Sequence, residues 1–150
     1  MLVIIVCVGY NDMVESESNR GDYMERRIVS TNGPDFAAQW RSLGHDVRIL
    51  RFYDGEQLCS SIYADLTKQR IMVENQAVAL VKTAFGNNVQ PDWADFQDFL
   101  SERCIPRQRA GLREYLETLG LDEYDPLAII EKTGGRMAED QQWLTIEVLK

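Results

Sequence analysis

The run from His45 to Asn75, HDVRILRFYDGEQLCSSIYADLTKQRIMVEN, limits the fold more than any other part of the chain. HDVRILRFYDG alternates in hydropathy and closes on Asp54-Gly55, which describes a strand followed by a turn. In SSIYADLTKQRIMVEN, Ile62 and Ala64 alternate with Tyr63 and Asp65, TKQ turns the chain, and Ile71 and Val73 resume the pattern. Strands that follow one another through short turns pair with each other, so two or three antiparallel strands result.

A sheet this small needs helices to bury it, and both flanks supply them. Asn32-Gly33-Pro34 is a helix entry, with Phe36, Trp40 and Leu43 at i, i+4 and i+7 and Gly44 as the stop. AVALVKTAFG reads as a helix ended by Gly86, with Val78, Val81 and Phe85 on one face. Asp92 after Pro91 caps a helix whose Trp93, Phe96, Phe99 and Leu100 form a wide apolar stripe. Pro106 breaks it, and RQRAGLREYLETLG starts another with Leu112, Leu116 and Leu119 inward and Gly120 as its cap. Asp125-Pro126 begins a last helix running to about Lys132, and QWLTIEV is a terminal strand that takes Trp143 into the core. The apolar start, MLVIIVCV, reads as a strand over roughly 2–9. It is too short to span a bilayer and lacks the basic segment and cleavage site of a signal peptide. Residues 11–25 are polar and acidic, an exposed loop in which Met24 offers a second start of translation. The expectation is one α+β domain over 1–150, a small, mainly antiparallel sheet packed with four to five helices.

Composition narrows the chemistry. With 150 residues, 45% apolar, the chain can bury one core without staples. Cys7, Cys59 and Cys104 are far apart and in no C-x-x-C spacing, so they read as reduced thiols in a cytoplasmic protein. A formal charge of -8 disfavours direct binding to nucleic acid, whose affinity comes mostly from phosphate neutralisation. His45 is the only histidine, which removes multi-histidine metal sites and the H-E-x-x-H arrangement. No cofactor is implied, and no pair of carboxylates lies on facing elements in a way that names a general acid and base.

Two features remain as candidate sites. Gly134-Gly135-Arg136 has the residue types of a phosphate loop, but its glycines follow a helix and precede a strand, which is the context of a left-handed cap. Arg136 and Asp140 then pair with each other or with neighbours to fix the return loop. Arg103, Arg107, Arg109 and Arg113 form a basic corner around Pro106, able to grip an acidic surface. The plainer reading is a solvated face paired to Glu102, Glu114 and Glu117. LGHDVRIL is typical of the corner between helix and strand in a βαβ unit, and with the first strand it allows a Rossmann-like, nucleotide-binding half with a pocket beside Gly9 and Ser30–Gly33. The glycine fingerprint of that fold is absent.

From about Ile62 to Val148 the chain resembles an uncharacterised family of small proteins from conjugative and other mobile elements of Firmicutes. The residues that carry the likeness are Arg103-Cys104, Pro106-Arg107, Arg109, Tyr124-Asp125-Pro126, Gly135-Arg136-Met137-Ala138-Glu139-Asp140 and Trp143. A fainter similarity, through Pro106-Arg107, Gly134-Gly135, Asp140 and Trp143, runs to the amino-terminal segment of HipA-like proteins. The resemblance implies a non-enzymatic accessory protein that binds another protein, such as a Cas nuclease or another nucleic-acid enzyme, in the manner of an anti-CRISPR inhibitor. Its contact residues would be Arg103, Arg107, Arg109, Arg136, Glu139 and Asp140. Alternatively, carboxylates of the 12–25 loop with Asp122, Glu123 and Glu139 would occlude a basic channel. A nucleotide-binding protein or a HipA-like accessory module is the competing expectation.

Overall fold

Three successive strands, β2 (Val47–Asp54), β3 (Gln57–Asp65) and β4 (Arg70–Asn75), form the meander that the alternation demands. The computed structural model describes residues 4–7 and 32–150, so the expected acidic loop 11–25, Met24, and Gly9 and Ser30 of the alternative pocket lie outside the described residues. The sheet is completed by β1 (Ile4–Cys7) beside β4 and β5 (Gln142–Val148) beside β2, giving the order β1-β4-β3-β2-β5 with every pair antiparallel. Three antiparallel pairings separate β1 from β2, so these strands are themselves antiparallel. The βαβ unit suggested by LGHDVRIL is therefore not formed, because such a unit requires its two strands to be parallel.

Both faces of this sheet are covered, and the register shows how. Leu50 stands opposite Ile62 and Ile62 opposite Val73, a row that faces α2 (Trp93–Glu102), α3 (Leu112–Leu119) and α4 (Pro126–Thr133) through Phe96, Phe99, Leu100, Leu116, Ile129 and Ile130. Ile49, Tyr63 and Met72 form the row on the other face, under α1 (Gly33–Ser42), which lays Ala37 and Trp40 upon them. Strand positions that would face water in a one-sided sheet are thus buried, and their polar groups must find partners. Ser60 donates to Asn75 at 2.8 Å and accepts from the Ala84 N–H. Tyr63 donates to Glu74, which also accepts the Gly33 N–H at 3.0 Å, so a buried carboxylate ties the start of α1 to the sheet.

Helix ends follow local chemistry. Asp92 and Asp95 form a capping box at the start of α2, Asp125 accepts from the Leu127 N–H with Pro126 in the first turn of α4, and Gly134 closes α4 at φ +75°.

Three further expectations are corrected. AVALVKTAFG is not an α-helix but a single 3-10 turn, Leu80–Lys82, leaving Val78 and Val81 74% and 83% exposed. The Ala84 N–H, which a continuous helix would direct to the Leu80 carbonyl, donates instead to Ser60 of the sheet, and the residues on either side of the turn, Ala79 and Thr83, are extended at ψ 116° and 164°. α3 begins at Leu112 rather than near Arg107, because Gly111 sits at φ +79°. Trp143 does not enter the core. Leu144 does, since Leu144 and Phe52 stand opposite each other on the α2–α4 face and period-two alternation sends Trp143 to the other.

A Cβ at Gly33 would land inside the Tyr63 ring. Gly33→Ala is expected to destabilise the fold by about 2 kcal/mol through overpacking, measured by urea denaturation. A change within experimental error would show that α1 does not depend on this close approach.

Candidate functional site

The chain after α2, residues 103–111, and the chain after α4, residues 134–141, meet at one end of the helical layer, and Arg103 joins them. It caps the C-terminus of α2 and is only 8% exposed. Its Nε donates to the Gly135 carbonyl, both terminal nitrogens donate to the Asp140 carboxylate at 3.0 and 3.1 Å, and the remaining bonds go to the side-chain and backbone oxygens of Gln142. All five N–H bonds a guanidinium can donate are used. Hydrogen bonds from Arg103 hold the Asp140 carboxyl below the ordinary aspartate range, against a smaller opposing effect of burial. Arg103 and Asp140, both expected among the contact residues, are thus engaged with each other inside the protein.

Of the two expected arrangements, Arg136 and Asp140 engage neighbours rather than each other: Asp140 pairs with Arg103, and Arg136 lies over Trp143. The Arg136 guanidinium lies 4.7 Å from the centre of the Trp143 ring, and Trp143 stacks on Tyr53 at 4.3 Å with the rings 11° from parallel. The indole N–H donates to the Gly55 carbonyl at 2.7 Å, which fixes the ring on the sheet. Sequence reading missed this platform. Its signal was the facing register of Tyr53 and Trp143, which becomes visible only when β2 and β5 are paired.

Between the two loops and α3 lies a notch of about 240 Å³. Arg109, Arg136 and Glu139 supply its polar side, and Cys104, Tyr115 and Ile129 are among its apolar lining. The other arginines are separated from it. Arg107 lies 4.3 Å over the Tyr124 ring, and Arg113 borders a second hollow of about 370 Å³ with Leu112, Leu116 and Leu121. Among the described residues, Arg107, Arg109, Arg113 and Arg136 form no ion pair, so the expected pairs with Glu102, Glu114 and Glu117 are not made. Of the expected contact residues, the notch collects Arg103, Arg109, Arg136 and Glu139, but Arg103 has no donor left to offer.

Groups with potential for catalysis are held in other ways. Burial, with the charge of Asp125, pushes the Cys104 thiol up to about 11, so it stays protonated at neutral pH. Burial likewise raises Cys59. His45 Nδ1 lies 2.8 Å from the fully buried Asp65, whose carboxylate also accepts from Arg70 and from the N–H groups of Thr67 and Lys68. Burial pushes the Asp65 carboxyl up, yet these hydrogen bonds, led by that from His45, outweigh it and hold the group low. This pair closes the corner between α1 and β2, and the nearby Thr67 hydroxyl is occupied by the Asp46 N–H. No group of three or more potential metal ligands occurs among the described residues, and no helix among them is long and apolar enough to cross a membrane.

Compared with known proteins, the chain matches no family model, no curated protein and no solved structure.

Arg103→Ala leaves two backbone carbonyls and Asp140 without their donor. The expected loss is roughly 3 kcal/mol of stability in chemical denaturation, and a loss under about 0.5 kcal/mol would contradict the buried tie. A carboxyl whose folded titration is lowered stabilises fully above its unfolded value and loses that contribution as pH falls through the folded one. The Tm gap between the native protein and Asp140→Asn is therefore expected to be widest above about pH 5 and to close in more acidic solution. A gap independent of pH would show that the Asp140 charge contributes nothing.

Proposed function

We propose that this chain is a non-catalytic protein-binding module that grips an acidic side chain of its partner in the Arg109–Arg136 notch. The observation that carries this reading is the pair of guanidinium groups lining a half-apolar hollow with no ion-pair partner among the described residues. Planar guanidinium groups hold carboxylates through two parallel hydrogen bonds, and arginine beside aromatic surface recurs at the energetic centres of protein interfaces. The formal charge of -8 does not oppose such a contact at close range, because exposed charges beyond about 8 Å are largely screened at physiological salt. That charge argues against a nucleic-acid strand, which would require many phosphate contacts. Raised thiols and a histidine committed to Asp65 favour a binding role over nucleophilic catalysis.

The partner class follows from the resemblance to mobile-element proteins: a host nucleic-acid-targeting nuclease, which the chain would inhibit in the anti-CRISPR manner. Arg109 and Arg136 are the principal contacts in this reading, with Glu139 as a polar rim and Arg107 further along the same corner. Arg103 and Asp140 act by holding the loops in place.

The reading is tested with a purified Cas nuclease and its guide, by measuring DNA cleavage in the presence of the chain and its variants. Inhibition by the native chain that falls about tenfold in Arg109→Glu/Arg136→Glu, at unchanged Tm, is the expected result. If Asp122→Lys/Glu123→Lys abolishes inhibition while the arginine variant retains it, occlusion of a basic channel by carboxylates replaces the notch. If the native chain has no effect on cleavage, the nuclease is the wrong partner.

A further inference from the structure

β5 is an edge strand whose outer side is closed along one half and open along the other. Its odd residues face β2, as the Leu149 N–H to Val47 and Gly55 N–H to Gln141 bonds fix the alternation at its two ends. The even residues therefore point their backbone groups outward. The first of these are covered by the chain itself: the Gln142 N–H donates to Asp140, the Gln142 carbonyl accepts from Arg103, and the Leu144 N–H donates to the Gly134 carbonyl at 2.8 Å. Past that point no described residue covers it. Among the described residues, the Leu144 carbonyl and both backbone groups of Ile146 and Val148 have no hydrogen-bond partner in the protein.

We propose that this open half-edge receives an extended, acidic segment of the partner protein, which adds to the sheet as a further strand. The inference rests on the protein-binding reading of the notch and names the form the partner takes there. Edge strands are usually shielded by proline, a bulge or a covering element, because unpaired backbone groups recruit another strand. Here the cover stops partway along β5. Strand addition derives its affinity from such groups and its specificity from the side chains beside them.

The charges next to this edge point to an acidic segment. Glu131 and Glu147 are engaged by Arg48 at 3.3 Å and Arg51 at 3.4 Å. Arg136, stacked on Trp143, and Lys132, in the last turn of α4 just before Gly134, have no ion pair among the described residues. The loop bearing Gly134 and Arg136 borders both the notch and the edge, so a segment leaving the edge passes directly to the notch. A second copy of this chain fits less well. Pairing two β5 strands about an axis at Ile146 would set the Val148 of one opposite the Leu144 of the other, where Gly134 already stands.

The experiment uses the full chain and three short blocked peptides: one alternating valine and glutamate, its valine–lysine counterpart, and the glutamate peptide N-methylated on one backbone edge. Amide hydrogen exchange is followed by NMR. The glutamate peptide at millimolar concentration is expected to slow exchange at Ile146 and Val148 at least about tenfold, with neither control peptide doing so. In Val148→Pro, which removes an outward N–H and no bond of the sheet at an exposed side chain, the protection at Ile146 should be lost at little cost in Tm. Unchanged exchange at both amides, or equal protection by the lysine peptide, overturns the proposal. Chemical-shift changes confined to Arg109, Tyr115 and Arg136 would overturn strand addition while leaving the notch reading intact. Protection that grows with protein concentration in the absence of peptide would assign the edge to a second copy.

Discussion

The burial of one guanidinium organises the working end of this protein. Taking a charge out of water costs several kcal/mol unless every donor is matched, and Arg103 matches all of them with atoms from a single return loop and the first residue of β5. The loop has few other ways of being fixed. Gly135 lies at φ +64°, and a Cβ there would come within 2.7 Å of the Leu144 side chain, so the backbone runs tight against the sheet. Once the Gly135 carbonyl is held by Arg103 and the Gly134 carbonyl by Leu144, Arg136 has little choice of position. Arg103 therefore acts on the notch without offering a bond to anything outside the protein.

The same demand, that buried polar groups be matched, shapes the sheet. Because helices cover both faces, β3 and β4 carry Ser60, Ser61, Asp65, Glu74 and Asn75 at buried positions. Glu74 serves Tyr63 and the first residue of α1, while Asp65 serves His45, Arg70 and the turn that follows β3. These carboxylates fix where α1 begins and ends on its face. Apolar contact with Ile49, Tyr63 and Met72 supplies adhesion, and directional bonds supply the register.

What could be read in the sequence is what depends on near neighbours. Asp92, Asp125-Pro126, Gly120 and Gly134 mark helix ends because caps and left-handed turns are decided within a few residues. The meander was legible because its turns are short and its alternation regular. Val78 and Val81 misled, since their helical spacing holds only if the segment is free to coil, and Ser60 on an adjacent strand claims the Ala84 N–H from it. Trp143 misled because alternation gives two faces but not which one is inward; Leu144 settles that by meeting Phe52 and Ile130 in the core. Among the arginines, nothing local separates Arg103 from Arg109. The difference is Asp140, 37 residues away, which only the tertiary fold brings into reach.

In the proposed binding mode the notch and the open edge would divide recognition between them in a way that neither provides alone. Backbone bonds at Ile146 and Val148 would accept any extended chain that has its own N–H and C=O groups free, with little preference for side chains. Arg136 and Lys132, in no ion pair among the described residues, would supply the preference: opposite a carboxylate they add a charge-assisted bond, and opposite a lysine they add repulsion. The chain's overall acidity opposes this choice only weakly at short range, because the carboxylates nearest the edge, Glu131 and Glu147, are already paired with Arg48 and Arg51. An acidic protein would in this way select an acidic partner where its own carboxylates are occupied and where, among the described residues, Arg109 and Arg136 are in no ion pair.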